Sequence, residues 1–123
     1  RYVREVPEVA YDLLEAAVKP LTIIYDNGYN LAPNLLGDNG SVGIRVPGDD
    51  FCRALCQRFR RPIVSTSANI SGAPSASVYA EISDEIKNGV DYVVNYRRDD
   101  VTRRAASSII KLGADATIKI LRK

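Results

Sequence analysis

Pro62-Ile63-Val64-Ser65-Thr66-Ser67-Ala68-Asn69-Ile70-Ser71-Gly72 runs from three residues of strand character into four hydroxyl side chains, one amide and a closing glycine. Ligands of open α/β sheets collect outside the carboxyl ends of strands, where hydroxyls and turn N–H groups can hold anionic oxygens. The same side chains can instead form a polar turn that only satisfies its own backbone. Taken alone, these residues leave both readings open.

Working outward, the neighbouring stretches decide the class. Upstream, Val6, Val9, Ala10, Leu13, Leu14 and Ala17 fall at helical spacing and predict a helix over 6–17, halted at Lys19-Pro20. Leu21 to Tyr25 reads as a strand, followed by a turn at Asp26-Asn27-Gly28 and a polar loop to residue 40 with a helical turn near Pro33 to Leu36. Ser41 to Val46 is a further short strand, after which Asp49 or Asp50 caps a helix carrying Phe51, Leu55 and Phe59 on one face. Downstream of the hydroxyl run, Val78 to Lys87 predicts a helix ending at Asn88-Gly89. With Pro62 to Val64, Asp91 to Tyr96, Ala106 to Leu112 and Thr117 to Leu121, the expectation is about six strands and three helices, intermingled. That is an α/β domain over residues 1–123: a mixed sheet with flanking helices and no repeat or linker.

The composition excludes more than it specifies. At 46% hydrophobic and 26% charged over 123 residues, the chain is an ordinary globular sequence. With no histidine there is no Ser-His-Asp triad, Cys-His pair or histidine-ligated zinc. Chemistry must therefore rest on positioning, hydroxyls, backbone N–H groups and cationic side chains. No apolar run approaches a membrane span, and two cysteines make no disulfide framework, so the expected compartment is the cytoplasm. Cys52 and Cys56 read as buried small apolar residues. Residues 1–50 carry 4 basic and 8 acidic groups, whereas residues 97–123 carry 8 and 3. A basic end can attract phosphate or RNA, or can be a solvated loop with mixed local pairing. Arg45 interrupts an apolar strand beside Gly43 and Ser41. It can grip a carboxylate or phosphate bidentately, or face outward at a sheet edge.

Four segments in this order, Lys19-Pro20-Leu21-Thr22, Gly43-Ile44-Arg45-Val46-Pro47, Pro62 to Ser75 and Ser107-Ser108-Ile109-Ile110, resemble the YrdC/TsaC family of threonylcarbamoyl-AMP synthases. The Ser-Thr-Ser-Ala-Asn-x-Ser-Gly run is the most specific of them. The resemblance implies a twisted, mostly open YrdC/RibB-like sheet with a concave basic surface. It also implies a nucleotidyltransferase that condenses L-threonine, bicarbonate and ATP to threonylcarbamoyl-AMP and pyrophosphate, for modification of tRNA. By position, Arg45, Ser65 and Ser107 match the residues that hold threonine. Ser41, Ser67, Ser75 and Arg122 match nucleotide contacts, with Asn69 in the same loop shaping it or touching the nucleotide. ATP enters as substrate and Mg²⁺ is held mainly through the nucleotide, so no catalytic side chain and no protein metal site is implied.

The family's N-terminal strand and its Lys-x-Arg segment have no counterpart here, and the chain opens at Arg1 without any methionine. The expectation is the C-terminal two-thirds of the family fold, with an apolar sheet edge that favours a homodimer. The partners implied are L-threonine, bicarbonate, ATP, proteins of tRNA modification, and tRNA or double-stranded RNA. The alternatives are a non-catalytic RNA-binding module and an inactive paralogue.

Overall fold

A computed structural model describes all residues 1–123. The chain divides into two compact units, residues 1–60 with 106–123, and residues 61–105.

The first unit is built on a four-stranded mixed sheet. β1 (Leu21–Tyr25), β2 (Val42–Arg45), β3 (Ser108–Leu112) and β4 (Ile118–Arg122) lie in the order β2-β1-β3-β4. β1 pairs antiparallel with β2 and parallel with β3, and β3 pairs antiparallel with β4. In register, Ile23 sits between Ile44 and Ile110, and Tyr25 between Val42 and Leu112. Successive side chains of a strand point to opposite faces, so these residues share one face. That face is the core: Ile23 and Leu112 are 0% and 1% exposed, and Tyr25 and Val42 are buried with them. α1 (Val9–Ala16) covers this face, with Ala10 buried in the core and Val9, Leu13 and Leu14 packed against it. Helical spacing of the apolar residues produces that packing, as the sequence implies. The helix is shorter than 6–17, because Pro7 and Glu8 form the turn that starts it, with Pro7 O accepting from the Ala10 N–H at 2.9 Å.

Two short 3₁₀ turns, Pro33–Leu35 and Asp38–Gly40, fill the loop from 26 to 40. Gly28 is required there for close approach, since a Cβ would lie 2.8 Å from Val42 Cγ1 and 2.9 Å from Leu36 Cδ2. α2 (Asp50–Phe59) is capped by Asp49, whose Oδ2 accepts the Cys52 N–H at 3.0 Å. Its Leu55 and Phe59 are largely exposed at 43% and 55%. Cys52 and Cys56 are half-buried free thiols rather than fully buried ones.

The second unit contains a 3₁₀ turn, Tyr79–Glu81, and α3 (Asp84–Asn88), and no strand. Two expectations fail here. Pro62 to Val64 and Asp91 to Tyr96 form no ladder, so the strands number four rather than six. Short apolar runs become strands only when a neighbouring strand takes their backbone N–H and C=O groups. The helix expected over 78–87 is split, because Ser83 is extended and caps α3 by accepting the Ile86 N–H at 3.4 Å.

Replacing Ile23 with alanine should destabilise the first unit by about 2–5 kcal/mol in urea titration. Ile120→Ala, on the exposed edge strand, should cost well under half of that.

Candidate functional site

The face of the sheet opposite the core carries Thr22 and Ile24 of β1, Gly43 and Arg45 of β2, Ile109 and Lys111 of β3, and Lys119 and Arg122 of β4. None of the four strands contains a carboxylate, so every charge the strands themselves contribute to this face is positive.

Three expected site residues gather at one end of this face around Thr22. Arg45 is the cross-strand partner of Thr22, and Thr22 is in register with Ile109 of β3. Ser107 precedes β3 and places its Oγ 2.8 Å from Thr22 Oγ1, a part-buried contact between residues 85 apart in sequence. Arg122 donates from Nε to Ser107 O at 2.8 Å. It stands opposite Ile109 because an irregularity between Ile109 and Ile110 shifts the β3–β4 register. Gly43 keeps the space beside Thr22 open, as a Cβ there would meet Thr22 Cγ2 at 3.4 Å. The result is two arginines and two hydroxyl residues at one end of a sheet face whose strands carry no carboxylate, residue types suited to a carboxylate or phosphate. Thr22 closes the Lys19-Pro20-Leu21-Thr22 segment, which carries no site residue in the family resemblance. Its only signal is a hydroxyl out of phase with Leu21, Ile23 and Tyr25. Ser41 lies four residues before Arg45, roughly 13 Å along the strand, and so marks the other end of this face. Its N–H donates to Asp38 O at 3.1 Å.

The second unit holds Ser65, Ser67, Asn69 and Ser75. Ser65, Ser67 and Ser75 are exposed on irregular backbone. Asn69 staples the loop: its Nδ2 donates to Ile70 O and Ala73 O, both at 3.0 Å. Its Oδ1 is buried without a partner. Gly72 supplies the left-handed turn residue at φ 85°. A cleft of about 370 Å³ is lined by Asn69, Ser75, Glu81 and Ser83 among others. Asn69 therefore does satisfy local backbone, and still keeps one unused acceptor.

The basic loop is extensively self-paired. Arg103 forks onto Glu81 at 3.1 and 3.0 Å, Arg104 pairs with Asp100 at 3.2 Å, and Arg98 donates to Val93 O and Val94 O. Tyr79 lies beneath both Lys87 and Arg98, 4.3 and 5.3 Å from its ring centre. The Arg103 guanidinium, with the Ser77 N–H, holds the Glu81 carboxyl below the ordinary glutamate value. Burial, then Asp49, pushes the Cys52 thiol up, which keeps it protonated and a poor nucleophile.

Comparison with known proteins now decides the family. The family profile described as "Telomere recombination", covering Sua5, YciO and YrdC, matches residues 1–123. The chain belongs to this family. A threonylcarbamoyl-AMP synthase of Idiomarina loihiensis is 30% identical over 76 residues, 62% of this chain and 41% of that protein. A Methanocaldococcus jannaschii protein, named provisionally as the same synthase, is 35% identical over 101 residues, 82% of this chain and 45% of its own length. The solution structure of MTH1692 from Methanobacterium thermoautotrophicum superposes with a TM-score of 0.61 at 29% identity, covering all of this chain and 56% of that one. The chain thus spans less than half the length of these curated relatives. The α/β fold and family of the resemblance stand. No helix is long and apolar enough to cross a membrane.

Two outcomes follow from this geometry. Thr22→Val should cost about 1 kcal/mol in chemical denaturation by removing Ser107's hydroxyl partner, while Thr22→Ser should retain most of it. Because the folded pKa of Glu81 is lowered, its tie to Ser77 and Arg103 is intact above the ordinary carboxylate range and is lost only as pH falls through the depressed value. The Ser77 amide resonance should report this, and in Arg103→Ala its midpoint should rise toward 4.5.

Proposed function

We propose that the protein is a threonylcarbamoyl-AMP synthase, condensing L-threonine, bicarbonate and ATP to threonylcarbamoyl-AMP and pyrophosphate. The observation that carries this reading is the cluster of Arg45, Thr22, Ser107 and Arg122 at one end of the basic sheet face. The names of the matched relatives support it.

Arg45 offers a planar fork for the threonine carboxylate, and Ser107, oriented by Thr22, offers a hydroxyl beside it. From the second unit the reading takes Ser65 for threonine, and Ser67, Asn69 and Ser75 for the nucleotide. The unused Asn69 Oδ1 suits a donor such as an amino or hydroxyl hydrogen of that ligand. Ser41 and Arg122 are the nucleotide contacts of the first unit. Mg²⁺, held by phosphate oxygens, neutralises charge on the triphosphate. The carbamate oxygen attacks the α-phosphorus, the bond from that phosphorus to the bridging oxygen breaks, and pyrophosphate leaves with the electron pair. Such a displacement needs alignment and charge neutralisation rather than a general base, which accords with a chain that has no histidine. The adenylate then passes to the proteins that modify tRNA in the cytoplasm.

A non-catalytic RNA-binding module would call on the arginines of residues 97–104. Arg98, Arg103 and Arg104 are engaged in local bonds, which favours the enzymatic reading.

Arg45→Ala should abolish L-threonine binding in calorimetry with Mg-ATP and bicarbonate present, without loss of the folding transition. Wild-type threonine affinity in that variant would overturn the assignment. Ser67→Ala should weaken ATP by about 1–3 kcal/mol.

A further inference from the structure

Two helices of the first unit carry opposite charge and leave it uncompensated. From Glu5 to Val18 the sequence holds four carboxylates, Glu5, Glu8, Asp12 and Glu15, and no cation. From Arg53 to Arg61 it holds four arginines and no carboxylate. Glu8, Asp12 and Glu15 recur every three or four residues, so they share one side of α1. That side points away from the core, because Ala10 on the other side is buried and all three carboxylates are exposed. Arg53 and Arg58 are exposed on α2, and Arg53 bonds a carbonyl, Pro47 O, at 2.9 Å. The chain's salt bridges, Arg103–Glu81 and Arg104–Asp100, both fall in the second unit, so none of these charges joins an ion pair within the chain.

α2 has a second deficit. Isolated helices shorter than ~12–15 residues are marginal in water and draw most of their stability from packing an apolar face. α2 has ten residues and buries none of them. Leu55 and Phe59 stand one turn apart on its apolar stripe, both largely exposed, and Val46 just before the helix is exposed too. α1 shows matching apolar surface among its carboxylates, where Tyr11 is largely exposed and Val18, just past the helix, is fully exposed.

A second copy of the chain supplies what each helix lacks. An apolar stripe beside arginines meets apolar residues beside carboxylates, and a two-fold axis repeats the same contact with the roles exchanged. Complementary charge of this kind sets register and suppresses wrong partners. Both helices lie in one compact unit, so the interface requires nothing of residues 61–105. The sheet edges are poorer seams. Neither β2 nor β4 holds a carboxylate, so pairing either with its own copy would bring Arg45, or Lys119 and Arg122, of two chains together.

We infer that the chain forms a two-fold homodimer in which α2 of each protomer packs on the outer, acidic side of α1 of its partner. Leu55 and Phe59 cover Tyr11 and Val18, and Arg53 and Arg58 face the α1 carboxylates. Burial of the stripe gives α2 the packing that its own chain withholds, and the charged rim makes the association sensitive to salt.

The test is sedimentation velocity on the full chain, from micromolar to hundreds of micromolar, at low and at high ionic strength. The wild type should pass from monomer to dimer as concentration rises, and added salt should move that transition to higher concentration. Asp12→Lys with Glu15→Lys reverses α1, and Arg53→Glu with Arg58→Glu reverses α2. All four positions are exposed, so each variant should keep its folding transition in urea. Either reversed protein alone sets like charge against like and should lose dimer affinity by about tenfold or more. An equimolar mixture of the two restores opposite charge at both contacts and should associate, which misfolded variants would not do. Phe59→Ala should weaken the wild-type dimer several-fold through its apolar centre. A wild type that stays monomeric throughout overturns the dimer and leaves both helices to a different chain. A dimer whose affinity ignores the reversals overturns this interface, as does a mixture that fails to associate.

Discussion

Parallel pairing of β1 with β3 sets the phase of the whole sheet. Once Ile23 lies beside Ile110 and Tyr25 beside Leu112, Thr22 and Lys111 have no choice but the opposite face. A slip of one residue would turn Lys111 toward α1 and expose Leu112, which is 1% exposed in the native register. An unpaired ammonium in that core would cost several kcal/mol. The force that buries the apolar residues of β1 and β3 is therefore the same force that presents the cations. Core and cationic face are two consequences of one register.

The antiparallel flanks then give that face its ends. β2 brings Arg45 opposite Thr22, and β4, after its irregular step, brings Arg122 opposite Ile109. Ser107 bonds to Thr22 because it directly precedes the strand paired in parallel with β1, and its neighbour's N–H donates to Pro20 O at 3.0 Å. A hydroxyl pair of this kind fixes a rotamer that solvent alone would leave free. The surface is rigid because strands carry it, and basic because no strand residue is acidic.

The second unit works by different means. It has no sheet, so its loop is held by side chains: Asn69 across Ile70 and Ala73, and Glu81 between Ser77 and Arg103. Such ties are local or exposed, and exposed ion pairs contribute little stability each. A ligand that bonds the free Asn69 acceptor would add order where the backbone supplies little.

Much of this was legible in the sequence. The strands expected at 21–25, 41–46, 106–112 and 117–121 form within two residues of those bounds, and with the helix expected over 6–17 and the cap at Asp49 or Asp50 they follow from alternation, helical spacing and capping chemistry, all short-range signals. The resemblance singled out Arg45, Ser107 and Arg122 as site residues, though nothing local says that they stand at one end of the same sheet face. The strands expected at 62–64 and 91–96 were not realised, because an apolar run cannot report whether a partner strand will pair with it. Thr22 escaped notice for a related reason. Its significance lies in what stands beside it across the sheet, and hydrogen bonds between residues 85 apart leave no trace in local composition. The sequence by itself determined which residues alternate and which segments can be strands or helices, since those depend on neighbours along the chain. Only the tertiary structure decided which strands pair and in what register. That choice is made by burial of one face summed over four strands, and it alone brings guanidinium, hydroxyl and ammonium groups together on the other.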